Sequence, residues 1–291
     1  MFLLLPLQSS VLYVFGALFL KQAGLHGVGF WRISFVANLI CGVAFSVLWP
    51  LGGSFPPLSL WWQPALVAAL FVAGQALGFL AIERGDVSVA TPVLGVKVVL
   101  VAFFVTVVVG ETVPGVLWLA AILSSAGIVF LNRSGTRTRH HAGFTIAIGV
   151  LAATAYALFD VLVQKWAPVW GAGRFLPALM WIVAVSSLAL IPLFDAPLRA
   201  VPRPAWRPLL AGGALIAAQG IFLIAALALY GQATAVNVIY SARGLWSVLI
   251  VWGLGHWFDN TEHQHGPRVL GWRLLGAGLL MGAVVSVLAW K

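Results

Sequence analysis

Two cations of this chain sit where cations are costly. Lys97 lies inside the apolar run "VATPVLGVKVVLVAFFVTVVV", and Arg243 lies inside "GQATAVNVIYSARGLWSVLIVW". Each is about ten residues into its run. At the helical rise that is about 15 Å deep, near the middle of a bilayer. A positive charge there costs about 2.5–3.5 kcal/mol on insertion scales, and snorkelling to the interface is difficult from that depth. Two arrangements offset the cost. One is a wet cavity in which both cations hold an anionic or strongly polar substrate. The other is a structural ion pair, or a cation capped by backbone carbonyls.

Further polar residues interrupt the apolar runs. Tyr240, Arg243 and Ser247 follow i, i+3, i+7 and share one helix face, with Asn237 one turn earlier. Gln75 and Gln219 are mid-run, where a glutamine either lines a cavity or hydrogen-bonds a neighbouring helix. Asp160 is the carboxylate lying well inside a run, on a stripe with Tyr156 and Gln164. It either takes and releases a coupling proton or neutralises Lys97, Arg243 or Lys165. Pro92, five residues before Lys97, leaves the Ser88 carbonyl without a helical donor, for function or for a plain kink.

Other constellations carry less. "GHWFDNTEHQHG" offers His256, Asp259, Glu262, His263 and His265, but without a metal-site spacing, so it reads as a solvated connection. Gly74/Gly78 and Gly278/Gly282 are small-xxx-small steps suited to close helix packing. Cys41 is the single cysteine, which excludes a disulfide framework and a cysteine metal cluster. No nucleophile–base pair lies within the runs, so no catalytic residue, metal or cofactor is assigned and the chain does not read as an enzyme.

The elements that must position these residues follow from composition. The chain has 291 residues, 62% hydrophobic and 8% charged, against about 25% charged in soluble domains. Ten apolar stretches are long enough to span: about 2–22, 27–49, 60–84, 87–110, 113–131, 143–167, 174–193, 206–230, 233–257 and 268–290. Their unbroken length selects helices over barrel strands. The expected fold is therefore an all-α integral membrane protein of ten transmembrane helices. The first stretch, without a basic leader or a cleavage site, reads as a retained span.

The most polar connection divides the chain into residues 1–132, a basic loop at 133–142, and residues 143–291. Across it the polar exceptions repeat. "GDVSVATPVLGVKVV" lies over "GQATAVNVIYSARGL" without a gap, so Lys97 falls on Arg243. At nearby offsets Gln75 meets Gln219, Tyr13 meets Tyr156, and Arg32 meets Arg174. Five spans per half is odd, so the halves are expected as inverted repeats. The counterpart of Asp160 is Ala17, so its role is not shared by the halves.

Orientation follows from lysine and arginine. Of 16, two are mid-span, eleven flank the odd-numbered connections and three lie on the other side. That predicts cytoplasmic odd-numbered connections and outward termini in a cell inner membrane. Tryptophans gather near span ends, as interfacial anchors do.

The chain resembles the drug/metabolite transporter superfamily in its ten-helix EamA-type branch. The resemblance rests on two five-span halves, "WRIS" opening the second span, and "AIERGDVSVATPVLG…VVVGET" across the third to fifth. The second half departs: in "GLGHWFDNTE", Trp257 stands where Glu111 aligns. The resemblance implies a pseudo-two-fold bundle built around spans three, four, eight and nine, working by alternating access. Relatives that carry phosphorylated or nucleotide-linked sugars place lysine and arginine in the fourth and ninth spans on anionic groups. It also implies cytoplasmic termini, opposite to the charge count.

The expected function is secondary transport of a small polar or anionic metabolite held at mid-membrane between the repeats. Lys97 and Arg243 would hold the anionic group, Gln75, Gln219, Asn237 and Tyr240 would orient it, and Asp160 would carry a coupling proton. The alternative is a channel or lipid scramblase without a coupled cycle. The implied partners are a small-molecule substrate and the bilayer, with no nucleic acid; a homodimer is left open.

Overall fold

The computed structural model describes residues 3–84, 87–131, 142–254 and 267–290, and every regular element among them is helical. In chain order these are α1 (Leu4–Leu25), α2 (Phe30–Phe45), α3 (Trp62–Glu83), α4 (Val87–Leu94), α5 (Lys97–Phe104) and α6 (Gly115–Leu131). Then come α7 (Ala142–Trp170), α8 (Ala172–Ser186), α9 (Arg203–Tyr230), α10 (Ala233–Tyr240), α11 (Arg243–Leu254) and α12 (Pro267–Ala289). The fourth span is thus α4 plus α5, closed by a π-helical turn at Val105–Val109, and the ninth is α10 plus α11. Among the described residues nine helices are long and apolar enough to cross a membrane, and α6 is a shorter apolar helix. The ten expected stretches all appear as helix. The basic loop and the histidine-rich connection fall outside the described residues.

These helices are apolar on both sides, as lipid requires. On α2 and the 3-10 turn that continues it, Leu39, Val43 and Val47 recur every four residues and are exposed, while Phe35, Asn38, Cys41 and Phe45 are buried. The outward stripe suits hydrocarbon and the inward face carries the packing.

The chain forms two compact units. The first comprises Met1–Val72 and Leu162–Gly231, the second Ala73–Val161 and Gln232–Lys291. Each unit therefore draws on both halves of the sequence.

In the first unit α1 runs along α9, and α2 packs on α8 and α9. Ala23, Val28, Phe35, Val36, Val201, Ala205 and Leu209 form one core. The α2–α8 pair repeats itself at a spacing of 142 residues. Each helix tightens into a 3-10 turn, at Ser46–Leu51 and Ser187–Leu193, carrying Pro50 and Pro192. Arg32, at the start of α2, holds Asp195 beyond the end of α8, with Nε to Oδ1 at 2.8 Å and Nη2 to Oδ2 at 2.7 Å. Arg174, at the start of α8, holds the end of the α2 arm: its Nη1 donates to the Trp49 carbonyl at 3.1 Å and its guanidinium lies against the Trp49 and Phe55 rings. The matching pair Gly29 and Gly171 precedes the two helices. A side chain at Gly29 would collide with Asp195, and one at Gly171 with the Gly53 backbone. Asn38 donates to the Ser187 hydroxyl at 2.8 Å, and Trp181 to the Ser46 hydroxyl at 2.9 Å, in the same crossed sense. Reciprocal contacts of this kind are what a two-fold relation between repeats produces. Arg32, read from sequence as an orientation charge, is thus an anchored structural cation.

In the second unit α6 lies along α12, α5 packs on α6, and α10 packs on α5, α6 and α12. The α6–α12 crossing is set by Gly127 and Gly276, whose backbones touch: a Cβ on Gly276 would stand 2.7 Å from the Gly127 carbonyl. This corrects the glycine expectation. Gly78, Gly278 and Gly282 meet nothing within 4 Å among the described residues, and Gly74 lies against the Tyr156 ring. The small-xxx-small pattern marked permissive positions, whereas the intimate contact is made by glycines that share no such step.

Candidate functional site

The fourth and ninth spans are interrupted at equivalent places. Between α4 and α5 the turn is Gly95–Val96, and between α10 and α11 it is Ser241–Ala242. Both turns use i→i+3 bonds: Val96 N–H to Val93 C=O at 3.1 Å, and Ala242 N–H to Ile239 C=O at 3.1 Å. A tightened turn of this kind inside a helix marks strain or a hinge. Lys97 is the first residue after one break and Arg243 the first after the other. The register predicted by the gapless repeat is therefore carried by the backbone.

Adjacent serines on α6 tie the two breaks together. Ser125 donates to the Gly95 carbonyl at 3.0 Å, and Ser124 to the Ser241 hydroxyl at 2.6 Å, which in turn donates to Val238 C=O at 2.6 Å. Consecutive Cα atoms are 3.8 Å apart, so two breaks gripped by neighbouring serines are no more than about 15 Å apart. Gly95 makes this possible, because any Cβ there would strike Ile128 of α6 at 2.6 Å. Ser124 and Ser125 were not singled out in the sequence. Two serines in an apolar span are visible there, but their partners are not.

Lys97 is not held by the chain's carbonyls. Its Nζ lies 2.7 Å from Asp160 Oδ2 of α7 and 5.9 Å from the centre of the Tyr156 ring. The carboxylate side chain is 2% exposed and the lysine side chain 15%. Oδ2 makes no aligned hydrogen bond, so the contact is one of charge on charge. Of the partners open to Asp160, the structure selects Lys97; Lys165 lies exposed on α7.

Arg243 is organised by its own helix face. Its Nη1 donates to the Tyr240 hydroxyl at 3.1 Å, and its guanidinium stacks 4.6 Å from the Tyr240 ring centre. Such stacking stabilises a partly desolvated cation. Asn237, 2% exposed, turns its amide back to the Ala233 carbonyl at 3.0 Å. Gln75 is half-buried on α3. These residues, with Asp160, all belong to the second unit. Gln219 belongs to the first, where Ser9 donates to its side-chain oxygen at 3.0 Å and its carbonyl at 2.8 Å. Among the described residues no group of three or more His, Cys, Asp or Glu gathers as a metal site.

Such an arrangement can bind. It presents two cations at equivalent turns, one neutralised by a buried carboxylate and one stacked on a tyrosine. No curated protein sequence matches the chain. A solved crystal structure superimposes with a TM-score of 0.76 at 18% identity, covering 98% of this chain and 95% of that one, which establishes a shared fold. Residues 1–133 match the EamA-like transporter family, whose members are transporters rather than enzymes. Over its first five spans the chain is similar to the EamA-like transporters.

Proposed function

We propose that the protein carries a small anionic or strongly polar metabolite across a cell inner membrane by alternating access. Lys97 and Arg243 bind the anionic group; Gln75, Asn237 and Tyr240 orient the remainder. Gln219, the sequence counterpart of Gln75, belongs to the first unit and is engaged there by Ser9. The observation that carries this reading is the shared position of Lys97 and Arg243, each directly after the break of its span. One cation at a helix break is explained by local packing. Two, at matching positions of two repeats whose breaks are joined through Ser124 and Ser125, fit a common ligand. Broken helices at mid-membrane are the usual seat of transporter sites. Rocking of one repeat against the other would expose the site to each side in turn.

The test is thermal unfolding of the purified protein across a metabolite panel, read through the buried Cys41 thiol with a thiol-reactive dye. Anions should stabilise the wild type, and Lys97→Ala and Arg243→Ala should each lose that shift. An anion shift untouched by both substitutions removes the reading. Saturating flux in liposomes separates a transporter from a channel or scramblase, whose flux rises without a plateau.

A further inference from the structure

Two ion pairs among the described residues are built differently. Arg32–Asp195 is bidentate and aligned, and a third bond from Nη2 to the Gly27 carbonyl at 2.9 Å fixes the guanidinium. It is a lock. Lys97–Asp160 is a single contact at 2.7 Å, from a flexible point charge to an oxygen without an aligned hydrogen bond. Its cation keeps some access while its anion is buried. That is the geometry of a counterion that can be replaced.

We propose that Asp160 is the exchangeable counterion of Lys97, and that an arriving substrate anion displaces it with uptake of one proton. The proposal rests on the anion site described above and adds the coupling. In the empty protein the Lys97 ammonium is neutralised by the Asp160 carboxylate. A substrate anion takes over the ammonium, and the carboxylate is left buried without its cation. An isolated charge in an apolar interior neutralises rather than persists. Asp160 therefore binds a proton from the loading side to become the neutral acid. When the anion leaves, the acid gives up its proton on the release side and pairs with Lys97 again. One anion and one proton bind and leave together, so the cycle is a symport.

The surrounding groups support this stoichiometry. Lys97 on α5 meets the carboxylate, Tyr156 one turn earlier on α7 lies by the same ammonium, and Arg243 on the ninth span is engaged with Tyr240. The α4 helix, whose Val93 touches Gly149 of α7, has no titratable residue. The α3 helix, whose Gly74 touches Tyr156, has Glu83 at its far end. Asp160 has no counterpart in the first repeat, where Ala17 aligns, so one proton site serves the two-fold-related cation pair.

Binding of inorganic phosphate and of short mono- and dicarboxylates to the purified full chain, in weak buffer with a pH indicator, tests it. The wild type should take up about one proton per anion bound. Asp160→Asn should bind anion with no proton uptake, and Lys97→Met should lose binding. A ligand-free readout stands beside this: infrared difference spectra should show a protonated carboxylic acid in Lys97→Met that is absent from Lys97→Met/Asp160→Asn. Anion binding that needs Lys97 but releases or takes no proton overturns the exchange and leaves the anion site standing. A carboxyl that stays ionised in Lys97→Met overturns it as well. No binding by any probe, or binding indifferent to Lys97, overturns the anion site and the exchange with it.

Discussion

Ser124 on α6 donates to Ser241 on the ninth span at 2.6 Å, while its neighbour Ser125 donates to Gly95 on the fourth at 3.0 Å. One pair of adjacent residues thus fixes both helix breaks. It also satisfies polar groups that hydrocarbon leaves no water to reach.

Removing either hydroxyl should loosen one break. Ser125→Ala leaves the Gly95 carbonyl with only a long bond from Val98 at 3.4 Å. We expect a loss of about 1 kcal/mol for each serine, the usual net value of a hydrogen bond. Denaturant unfolding of Ser124→Ala, Ser125→Ala and the double variant checks it. A double variant as stable as the wild type would show that the breaks hold themselves.

Lys97→Met should be strongly destabilising at neutral pH, by about 3–5 kcal/mol, because Asp160 is left buried without its cation and must take up a proton. Lys97→Met/Asp160→Asn should regain most of the loss, since the amide carries no charge. A double-mutant cycle on unfolding free energies reads the coupling. Purely additive losses would mean the pair does not interact in the membrane.

The glycines offer a paired comparison. Gly276→Ala and Gly127→Ala push a methyl group into backbone at under 3 Å and should cost about 1–3 kcal/mol through overpacking. Gly278→Ala and Gly282→Ala face open space and should be neutral, or stabilising by up to about 1 kcal/mol through helix propensity. Melting temperatures of the four variants decide it, and equal effects at all four sites would contradict the packing described.

At the α2–α8 clamp, Arg32→Lys should weaken the protein by about 1 kcal/mol or more, although charge is kept, because a lysine cannot grip Asp195 with two bonds and reach Gly27 as well. The Asp195 side chain is 55% exposed, so Asp195→Asn should cost less, about 0–1 kcal/mol. Reversal of that order, measured by thermal unfolding, would show that the exposed partner governs the clamp.

Orientation is a separate test. The charge count places the odd-numbered connections in the cytoplasm, so a reporter fused after Lys291 should be active outside. A cytoplasmic reporter signal would give the termini the orientation usual for the resembling family.

The sequence by itself determined the helices among the described residues. Lipid leaves the backbone no partner but its own, so an apolar run of sufficient length has one outcome. The gapless register set Lys97 on Arg243, but the break that precedes each was not read from the sequence. Tertiary structure alone decided who meets whom. Asp160 had Lys97, Arg243 and Lys165 as candidates, and helix rotation about its own axis made the choice. The same rotation brought Gly127 to Gly276 in preference to the better-looking glycine steps, and set Ser124 and Ser125 toward different spans. In a soluble helix a polar face announces which way it points. Here lipid and core are both apolar, so rotation leaves little trace in composition and becomes visible only once the helices are packed.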